Sequence, residues 1–223
     1  RKAKGNGIGV AAVRNTNHFG MLGYYPMMAI CEDMIGSATC STAACVLPWG
    51  GRARLVGNNP VAFAIPAGKE RSIVYDGSLS VVAGQRVDQA RIRGEKIPKA
   101  WAFNSIGHPT SDPSEVRGPK GWIGTLAPIG GYKGYCLSVI SDIVCCALTG
   151  AEFSKDTLSL LDLSRTWNVG CFTAAIDISI FVPVKEFKDR VDELIRTIKS
   201  SPLGESSDEI LLPGEKEFRE EEK

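Results

Sequence analysis

Short apolar runs separated by turn residues predict a chain of alternating strands and helices. Residues 8–13 predict a buried strand, and residues 26–35 predict the helix that follows it. Residues 61–65 and 72–75 predict two strands joined by a hairpin-type turn, and residues 171–178 predict a central strand. These patterns together are typical of an α/β protein.

Two longer helices are predicted in the second half of the chain. Residues 135–148 are apolar on most faces, which is typical of a helix in a large core or at a subunit interface. Residues 184–200 are amphipathic and bracketed by prolines, so they predict a scaffold helix. Residues 208–217 predict a final strand or extended segment. The whole pattern predicts a mixed β-sheet with flanking helices.

Composition is that of a soluble globular protein with a substantial core. The 223 residues are 43% hydrophobic and 23% charged, and the net charge of +1 gives no global field for nucleic acid. The seven cysteines lack zinc-type spacing, so we expect no metal site, no disulfide framework and a reducing, cytoplasmic compartment. No signal peptide or membrane-spanning apolar run is found in the sequence.

His18 is one of two histidines and lies between the first predicted strand and the first predicted helix. Strand ends are where α/β proteins place chemistry, and a histidine exchanges a proton near neutral pH. We therefore predict that His18 is an acid/base group; the alternative is a turn histidine without chemistry. Asn15, Thr16 and Asn17 beside it can bind a polar ligand or turn the chain. The other histidine, His108, is predicted to be structural.

The usual nucleotide-binding loops are not found in the sequence. Gly5, Gly7 and Gly9 precede a predicted strand instead of following it, and Val10 stands where a third glycine belongs. Residues 130–133 have the wrong spacing for a Walker-type loop. Any nicotinamide cofactor must therefore bind without a Rossmann crossover.

Two later turns offer polar groups to a ligand. Asp76, Gly77 and Ser78 end a predicted strand, where they can approach a ribose or an amide, or simply form a turn. Lys133 lies at the start of a predicted helix, where its charge opposes the helix dipole. It is therefore predicted to meet an anion such as a cofactor phosphate, and a solvated lysine is the alternative. Residues 86–95 mix arginines with acidic residues and are interpreted as a solvated face.

The segment RNTNHFG at residues 14–20, followed by GYY at residues 23–25, resembles the signature of the type 2 malate/L-lactate dehydrogenase family. Further segments similar to that family follow in the family's order: PWGG (48–51), GNNP (57–60), AFAIP (62–66), DGS (76–78), GHPTSDP (107–113), GGYKGY (130–135), AID (175–177) and PGE (213–215). The resemblance spans nearly the whole chain.

This resemblance implies a non-Rossmann cofactor fold and reversible hydride transfer. The partners would be NAD or NADP and a small 2-hydroxy or 2-oxo acid such as malate or lactate. His18 would be the acid/base. The implied cofactor contacts are Thr42, Asn58, Asp76, Gly77, Ser78, Lys133, Gly214 and Glu215. The resemblance and the apolar stretches at residues 21–35 and 135–148 also predict a homodimer, with residues from both chains near the cofactor.

Family members carry a further N-terminal helical segment that supplies a serine, an arginine and a histidine around the substrate. Residues 1–4 look like the end of a helix, so we expect residues 1–223 to be the central and C-terminal part of such a chain. Residues 217–223 are charged and are expected to lack the family's closing helix. Asn104 replaces a usual aspartate, and the rival hypothesis is a catalytically inactive remnant that binds a nucleotide or a protein partner.

Overall fold

A five-stranded sheet flanked by helices organises the chain. The computed structural model describes residues 1–159 and 162–223. The strands are β1 (Ile8–Thr16), β2 (Met34–Cys40), β3 (Val61–Ile65), β4 (Ile73–Gly77), β5 (Ala102–Phe103), β6 (Arg117–Gly118), β7 (Gly121–Trp122), β8 (Thr125–Leu126) and β9 (Val169–Asp177). The α-helices are α1 (Lys2–Asn6), α2 (Tyr24–Ile30), α3 (Gly84–Arg93), α4 (Tyr132–Asp142), α5 (Val184–Lys199) and α6 (Glu215–Glu221).

The main sheet has the order β1-β9-β2-β3-β4, so the last strand in the sequence lies between the first two. This confirms residues 171–178 as an inner strand and confirms the predicted α/β class. All four ladders of this sheet are antiparallel. Parallel pairing in the described part of the chain is limited to an isolated bridge between Val46 and Leu126, outside the main sheet. The main sheet is therefore antiparallel and not mixed as predicted.

The strand predicted at residues 8–13 forms, but the prediction that it is buried was wrong. β1 is an edge strand, and most of its residues are exposed, including Ile8, Val10 and Val13. It pairs with β9 on one side only. The side chains of Ile8, Val10 and Val13 thus remain 44–50% exposed in the folded chain.

The helix predicted at residues 26–35 is shorter than predicted, because the helical pattern gives way to the alternating pattern of a strand after Asp33. α2 ends at Ile30, and Asp33 adopts a left-handed backbone conformation with φ of 54°. The following residues alternate between buried and half-buried, which is the period of a strand. α2 packs directly on β2 at Gly36, where an added Cβ would lie 2.3 Å from the carbonyl oxygen of Pro26.

The helix predicted at residues 135–148 begins earlier, at Tyr132, and continues past α4 as a π-helical turn, Ile143–Ala147. Its polar residues are turned inward: Ser138, Ser141 and Asp142 are buried. The apolar residues Leu137, Ile140 and Ile143 are exposed. α4 therefore turns its polar side chains towards the core and its apolar side chains outwards. It is neither a solvated helix nor a fully buried one.

The C-terminal part of the chain differs from two expectations. Residues 208–214 form no strand, which leaves only the alternative of an extended segment, and that segment ends where α6 begins at Glu215. A helix also forms in the charged stretch that was expected to lack one. Arg71 lies over the ring of Phe218 at 5.0 Å and holds α6 near β4. The amphipathic helix α5 is confirmed, and its Ile195 packs in a cluster with Ala67 and Leu212.

None of the helices in the described ranges combines the length and the apolar character that a membrane crossing needs.

Candidate functional site

A cleft of about 840 Å³ lies at one end of the main sheet. The loop between β1 and α2, the ends of β2 and β4, one side of α3 and the β6–β7 hairpin all contribute to its lining. The cleft brings together four of the predicted site residues: His18, Thr42, Asn58 and Asp76. Its volume lies within the range of about 300–1,000 Å³ that is usual for ligand and cofactor sites.

A β-bulge at the end of β1 directs the chain towards the cleft. The register with β9 shifts between Val13 and Thr16, and Asn15 takes a left-handed conformation with φ of 57°. The amide N–H of Asn15 donates to the side-chain oxygen of Asn168 at 3.1 Å, and the Thr16 hydroxyl donates to the Val169 carbonyl at 3.0 Å. These two contacts show that Asn15 and Thr16 turn the chain, and bulges commonly re-aim residues near active sites in this way.

His18 lines the cleft, is exposed, and is fixed by bonds within its own loop. Its amide donates to the Asn17 side chain at 2.8 Å, and its Nδ1 accepts from the amide of Gly20 at 3.2 Å. Because Nδ1 accepts, the hydrogen of the neutral ring is assigned to Nε2. The loop thus presents an imidazole with an Nε2–H donor.

Thr42 and Asn58 meet at the floor of the cleft. The Thr42 hydroxyl donates to the Asn58 side-chain oxygen at 2.8 Å. The Nδ2 group of Asn58 has no hydrogen-bond partner among residues 1–159 and 162–223, so it can donate to a ligand. Asn58 is half-buried in the cleft wall, where a bound carbonyl or phosphate oxygen would be partly shielded from water.

A buried polar network supports this floor from behind. Asn59 is fully buried, accepts from the Thr42 amide at 2.9 Å and donates to the Asp142 carboxylate at 2.9 Å. The Ser154 hydroxyl donates to the same carboxylate at 2.6 Å. Burial raises the pKa of Asp142, and these two hydrogen bonds partly oppose that effect. The network connects α4 to the segment that carries Thr42 and Asn58.

Asp76 joins two sides of the cleft. Its carboxylate accepts from the amide of Gly23, the residue before α2, at 2.7 Å. Asp76 therefore satisfies one of the free N–H groups at the start of that helix. Its side chain is exposed, so its second oxygen remains accessible to a ligand.

α3 contributes to the other wall of the cleft. The prediction that residues 86–95 form a solvated face was wrong for Asp88 and Arg91. Both residues are half-buried and line the cleft. Arg117 donates two hydrogen bonds to Asp88, at 2.9 and 2.6 Å, and stacks over the Trp122 ring at 4.2 Å. Sequence reasoning missed this wall because Arg117 and Trp122 lie far from α3 in the chain.

Five of the predicted cofactor residues, Ser78 among them, do not line the cleft near His18. Lys133 is exposed near the start of α4, beside the edge-to-face pair of Trp49 and Tyr132. Gly214 contacts β4, and Glu215 forms an ion pair with Lys199. Gly77 is also absent from the cleft lining.

Ser78 and Asn104 are accounted for by local structure. The hydroxyl of Ser78 donates to the carbonyl of Ser80 at 3.2 Å, which shapes the turn after β4. The side-chain oxygen of Asn104 accepts from the amides of Ile106 and His108 at 3.2 and 3.0 Å. An amide thus fills a turn-forming role at the position where the resemblance implied an aspartate.

Asn59, Asp142 and Ser154 are the supporting residues that sequence reasoning missed. Asn59 carried a signal, because it stands in the GNNP segment that resembles the family motif. Asp142 carried a second signal, since it is a lone acid in an apolar helix. Ser154 had none. The described residues contain no group of three or more His, Cys, Asp or Glu side chains that could hold a metal ion.

The antiparallel sheet, the flanking helices and the cleft of about 840 Å³ are those of an α/β protein with a candidate ligand site. The model of the malate/L-lactate dehydrogenase family matches residues 1–223. The chain belongs to that family.

Named relatives agree with this assignment. The chain is 40% identical over 222 residues to a malate dehydrogenase of Pyrococcus abyssi, covering 97% of this chain and 60% of that protein. It is 37% identical over 216 residues to a malate/(S)-sulfolactate dehydrogenase of Methanothermus fervidus, again covering 97% and 60%. The chain thus spans about 60% of the length of these curated relatives.

Solved structures show the same fold. A malate dehydrogenase from Entamoeba histolytica matches with a TM-score of 0.90 and 32% identity, covering 99% of this chain and 63% of that one. A sulfolactate dehydrogenase from Methanocaldococcus jannaschii matches with a TM-score of 0.88 and 36% identity, covering 98% and 61%. Both likenesses extend over nearly all of the present chain.

Proposed function

We propose that the full-length protein is an NAD- or NADP-dependent dehydrogenase that interconverts a small 2-hydroxy acid and its 2-oxo acid. Relatives named as malate and sulfolactate dehydrogenases support this substrate class, and malate is the first substrate to test. The observation that carries the proposal is the meeting of His18, Thr42, Asn58 and Asp76 in one cleft. When bound, the nicotinamide ring would supply or accept the hydride.

The size of the cleft and the hydrogen-bonding groups that line it suit such a cofactor. The free Nδ2 of Asn58 and the hydroxyl of Thr42 provide polar contacts on the floor, and Asp76 offers a carboxylate oxygen to a ribose hydroxyl or an amide. The Asp88–Arg117 ion pair forms part of the opposite wall, beside Arg91. These residues would orient the cofactor and exclude part of the surrounding water.

His18 is proposed as the acid/base. In the reduction of a 2-oxo acid the protonated ring would donate its Nε2–H to the carbonyl oxygen, and in the oxidation direction the neutral ring would accept the hydroxyl proton at Nε2. Nδ1 carries a hydrogen in both of these reactive forms, whereas in the observed loop it accepts from the amide of Gly20 at 3.2 Å. The Gly20 hydrogen bond must therefore break before His18 can act in either direction.

We further propose that a homodimer completes the site. Leu137 and Ile140 are exposed on α4, and Lys133 lies four residues before Leu137 on the same side of that helix. Met28 of α2 is also exposed. A second copy that covers the apolar side of α4 would bring Lys133 to the subunit boundary, where it could reach a phosphate in the partner's cleft.

The Lys133→Ala variant tests this placement. It should weaken cofactor binding measured by calorimetry, and unchanged binding would exclude Lys133 from the site.

The decisive experiment compares the two histidines in the full-length protein. His18→Asn should lower turnover of malate on the order of a hundredfold or more and leave cofactor affinity largely unchanged. His108→Asn is the matched control, because His108 is exposed in the Asn104 turn, and it should keep normal turnover. Near-normal turnover in His18→Asn would exclude His18 as the acid/base. If the wild-type protein oxidises no 2-hydroxy acid with either cofactor, the proposed function fails.

A further inference from the structure

Cys40 and Cys171 face each other across the β2–β9 ladder at the floor of the cleft. The adjacent pair is hydrogen-bonded, since the Ser41 amide donates to the Gly170 carbonyl at 2.9 Å. The amide of Cys40 instead points to β3 and donates to the Pro60 carbonyl at 3.4 Å. Pairs alternate along an antiparallel ladder, so Cys40 and Cys171 occupy a non-hydrogen-bonded position, where Cα atoms are typically about 4.5 Å apart. That spacing lies within the range that a disulfide can bridge.

Both side chains lie on the same face of the sheet. Cys40 is part of a buried cluster with Leu22 and Ala38, and Cys171 packs against that cluster. Thr39 projects to the opposite face, because side chains alternate along a strand. Its hydroxyl lies 2.6 Å from the hydroxyl of Ser141.

Two other buried thiols nearby, Cys145 and Cys146, are separated from this pair by the sheet. Cys146 interacts with the side chain of Ser41, which projects to the face opposite Cys40. The Sγ of Cys145 lies 4.0 Å from the Ser141 hydroxyl, on the Thr39 face. Burial raises the pKa of Cys145 to about 12, which keeps it protonated and unreactive. Cys171 is therefore the geometric partner of Cys40.

The two thiols are close enough to shift each other's acidity. Interaction with the Cys171 thiol is the main cause that raises the pKa of Cys40 well above its usual value, and interaction with Cys40 is the main cause that lowers the pKa of Cys171. Cys171 is thus the more acidic thiol of the pair and is expected to react first.

We propose that Cys40 and Cys171 are a peroxide-sensitive dithiol that closes reversibly into a disulfide. The Cys171 thiolate attacks hydrogen peroxide: an S–O bond forms, the O–O bond breaks, and the departing hydroxide takes up a proton to become water. The sulfur of Cys40 then attacks the sulfenic sulfur, the S–O bond breaks, and the second hydroxide leaves with the Cys40 proton. Two thiols and one peroxide give one disulfide and two waters.

The cleft provides the route for the oxidant. Cys40 lines it although only 6% of its surface is exposed, and Cys171 is half-buried beside it. Closure of the disulfide would tie β2 to β9 two residues before Thr42. Cys31 is exposed and lies outside the cleft lining, so it serves as a control for general thiol oxidation.

The test treats the full-length protein with hydrogen peroxide and follows it by intact mass and non-reducing peptide mapping. We expect a mass loss of two hydrogens, a peptide pair linked through Cys40 and Cys171, and recovery of both thiols with dithiothreitol. Cys171→Ser should abolish the link, and Cys31→Ser should retain it. A link between other cysteines would overturn the proposal, and so would separate oxidation of the two thiols without a link. The wild-type mapping alone decides the outcome if a variant fails to fold, and it does not depend on dehydrogenase activity.

Discussion

The carboxylate of Asp76 accepts a hydrogen bond from the amide of Gly23 at 2.7 Å, which ties the end of β4 to the start of α2. An added Cβ on Gly23 would lie 3.3 Å from this carboxylate, so the two groups are in close contact. Asp76 is therefore a helix cap as well as a proposed cofactor contact. The two roles can be separated, because capping requires an acceptor atom and not a charge.

Asp76→Ala removes the cap and should lower the free energy of unfolding by about 1 kcal/mol. Asp76→Asn keeps an acceptor oxygen, so its stability in urea denaturation should be close to that of the wild type. The same variant should bind the nicotinamide cofactor more weakly in fluorescence titrations, because the amide replaces a stronger acceptor for a ribose hydroxyl. Unchanged cofactor affinity in Asp76→Asn would restrict Asp76 to its capping role.

Asp142 should make the protein less stable as the pH rises above the ordinary aspartate range. Burial raises its folded pKa above 3.8, so the folded state holds a proton that the unfolded state has already lost. The free energy of unfolding therefore falls between pH 3.8 and the raised pKa. Asp142→Asn should flatten this part of the profile, and Asp156→Asn, at an exposed carboxylate, should not. Urea denaturation at several pH values in this range measures the free energy of unfolding. An equal dependence on pH in the two variants would contradict the attribution to Asp142.

Arg117 should contribute to stability through its paired and stacked position. Arg117→Met loses two charge-assisted hydrogen bonds to Asp88 and leaves that carboxylate only its longer ion pair with Arg91, with a cost of about 1.5–3 kcal/mol in free energy of unfolding. The fluorescence of Trp122 should also change, since the cation over its ring is lost. Arg93→Met is the control on the exposed side of α3. Equal stability of the two variants would mean that the cleft wall does not depend on this pair.

Asp192 should produce the opposite pH dependence to Asp142. Its carboxylate accepts from the amides of Lys69, Gly68 and Glu70 at 2.7, 2.8 and 3.2 Å, and these hydrogen bonds lower its pKa below 3.8. The stabilisation is thus present above pH 3.8 and is lost as the pH falls through the lowered pKa.

Asp192→Asn should lower the melting temperature near neutral pH and weaken the acid dependence below it. Thermal melts at several pH values would show both effects. Asp189→Asn is a suitable control, because Asp189 lies on the same helix and is exposed. A variant at Asp192 that melts like the control would show that the turn at residues 68–70 does not need the carboxylate.

The local elements could be predicted from the sequence because they depend on nearest neighbours. The strands at residues 61–65 and 72–75 and the helix α5 follow from the period of their apolar residues. The exposure of β1 could not be predicted in this way, because an edge strand and an inner strand can have the same run of apolar residues. The end of α2 was missed because the backbone conformation of Asp33, and not the apolar pattern, ends it.

The site was predictable in part. His18 and Asp76 stand at strand ends, and that position alone placed them among the candidates. The Asp88–Arg117 pair joins residues 29 positions apart, and the bond from Asn59 to Asp142 joins residues 83 apart, so no local pattern indicates either. Lys133 had a sound local argument from the helix dipole, yet the fold of one chain leaves it outside the cleft lining.

The position of β9 between β1 and β2 has a consequence for synthesis. Among residues 1–159 and 162–223, β1 pairs only with β9, so it has no partner in the sheet until residues 169–177 have left the ribosome. The bulge at Asn15 and the loop that carries His18 therefore take shape late, although they are encoded early. Contacts across so long a stretch of chain slow folding, since loop closure must precede the gain from pairing. The apolar residues of β1 would meanwhile be exposed to other nascent chains, and a chaperone that covers them would have most effect during this interval.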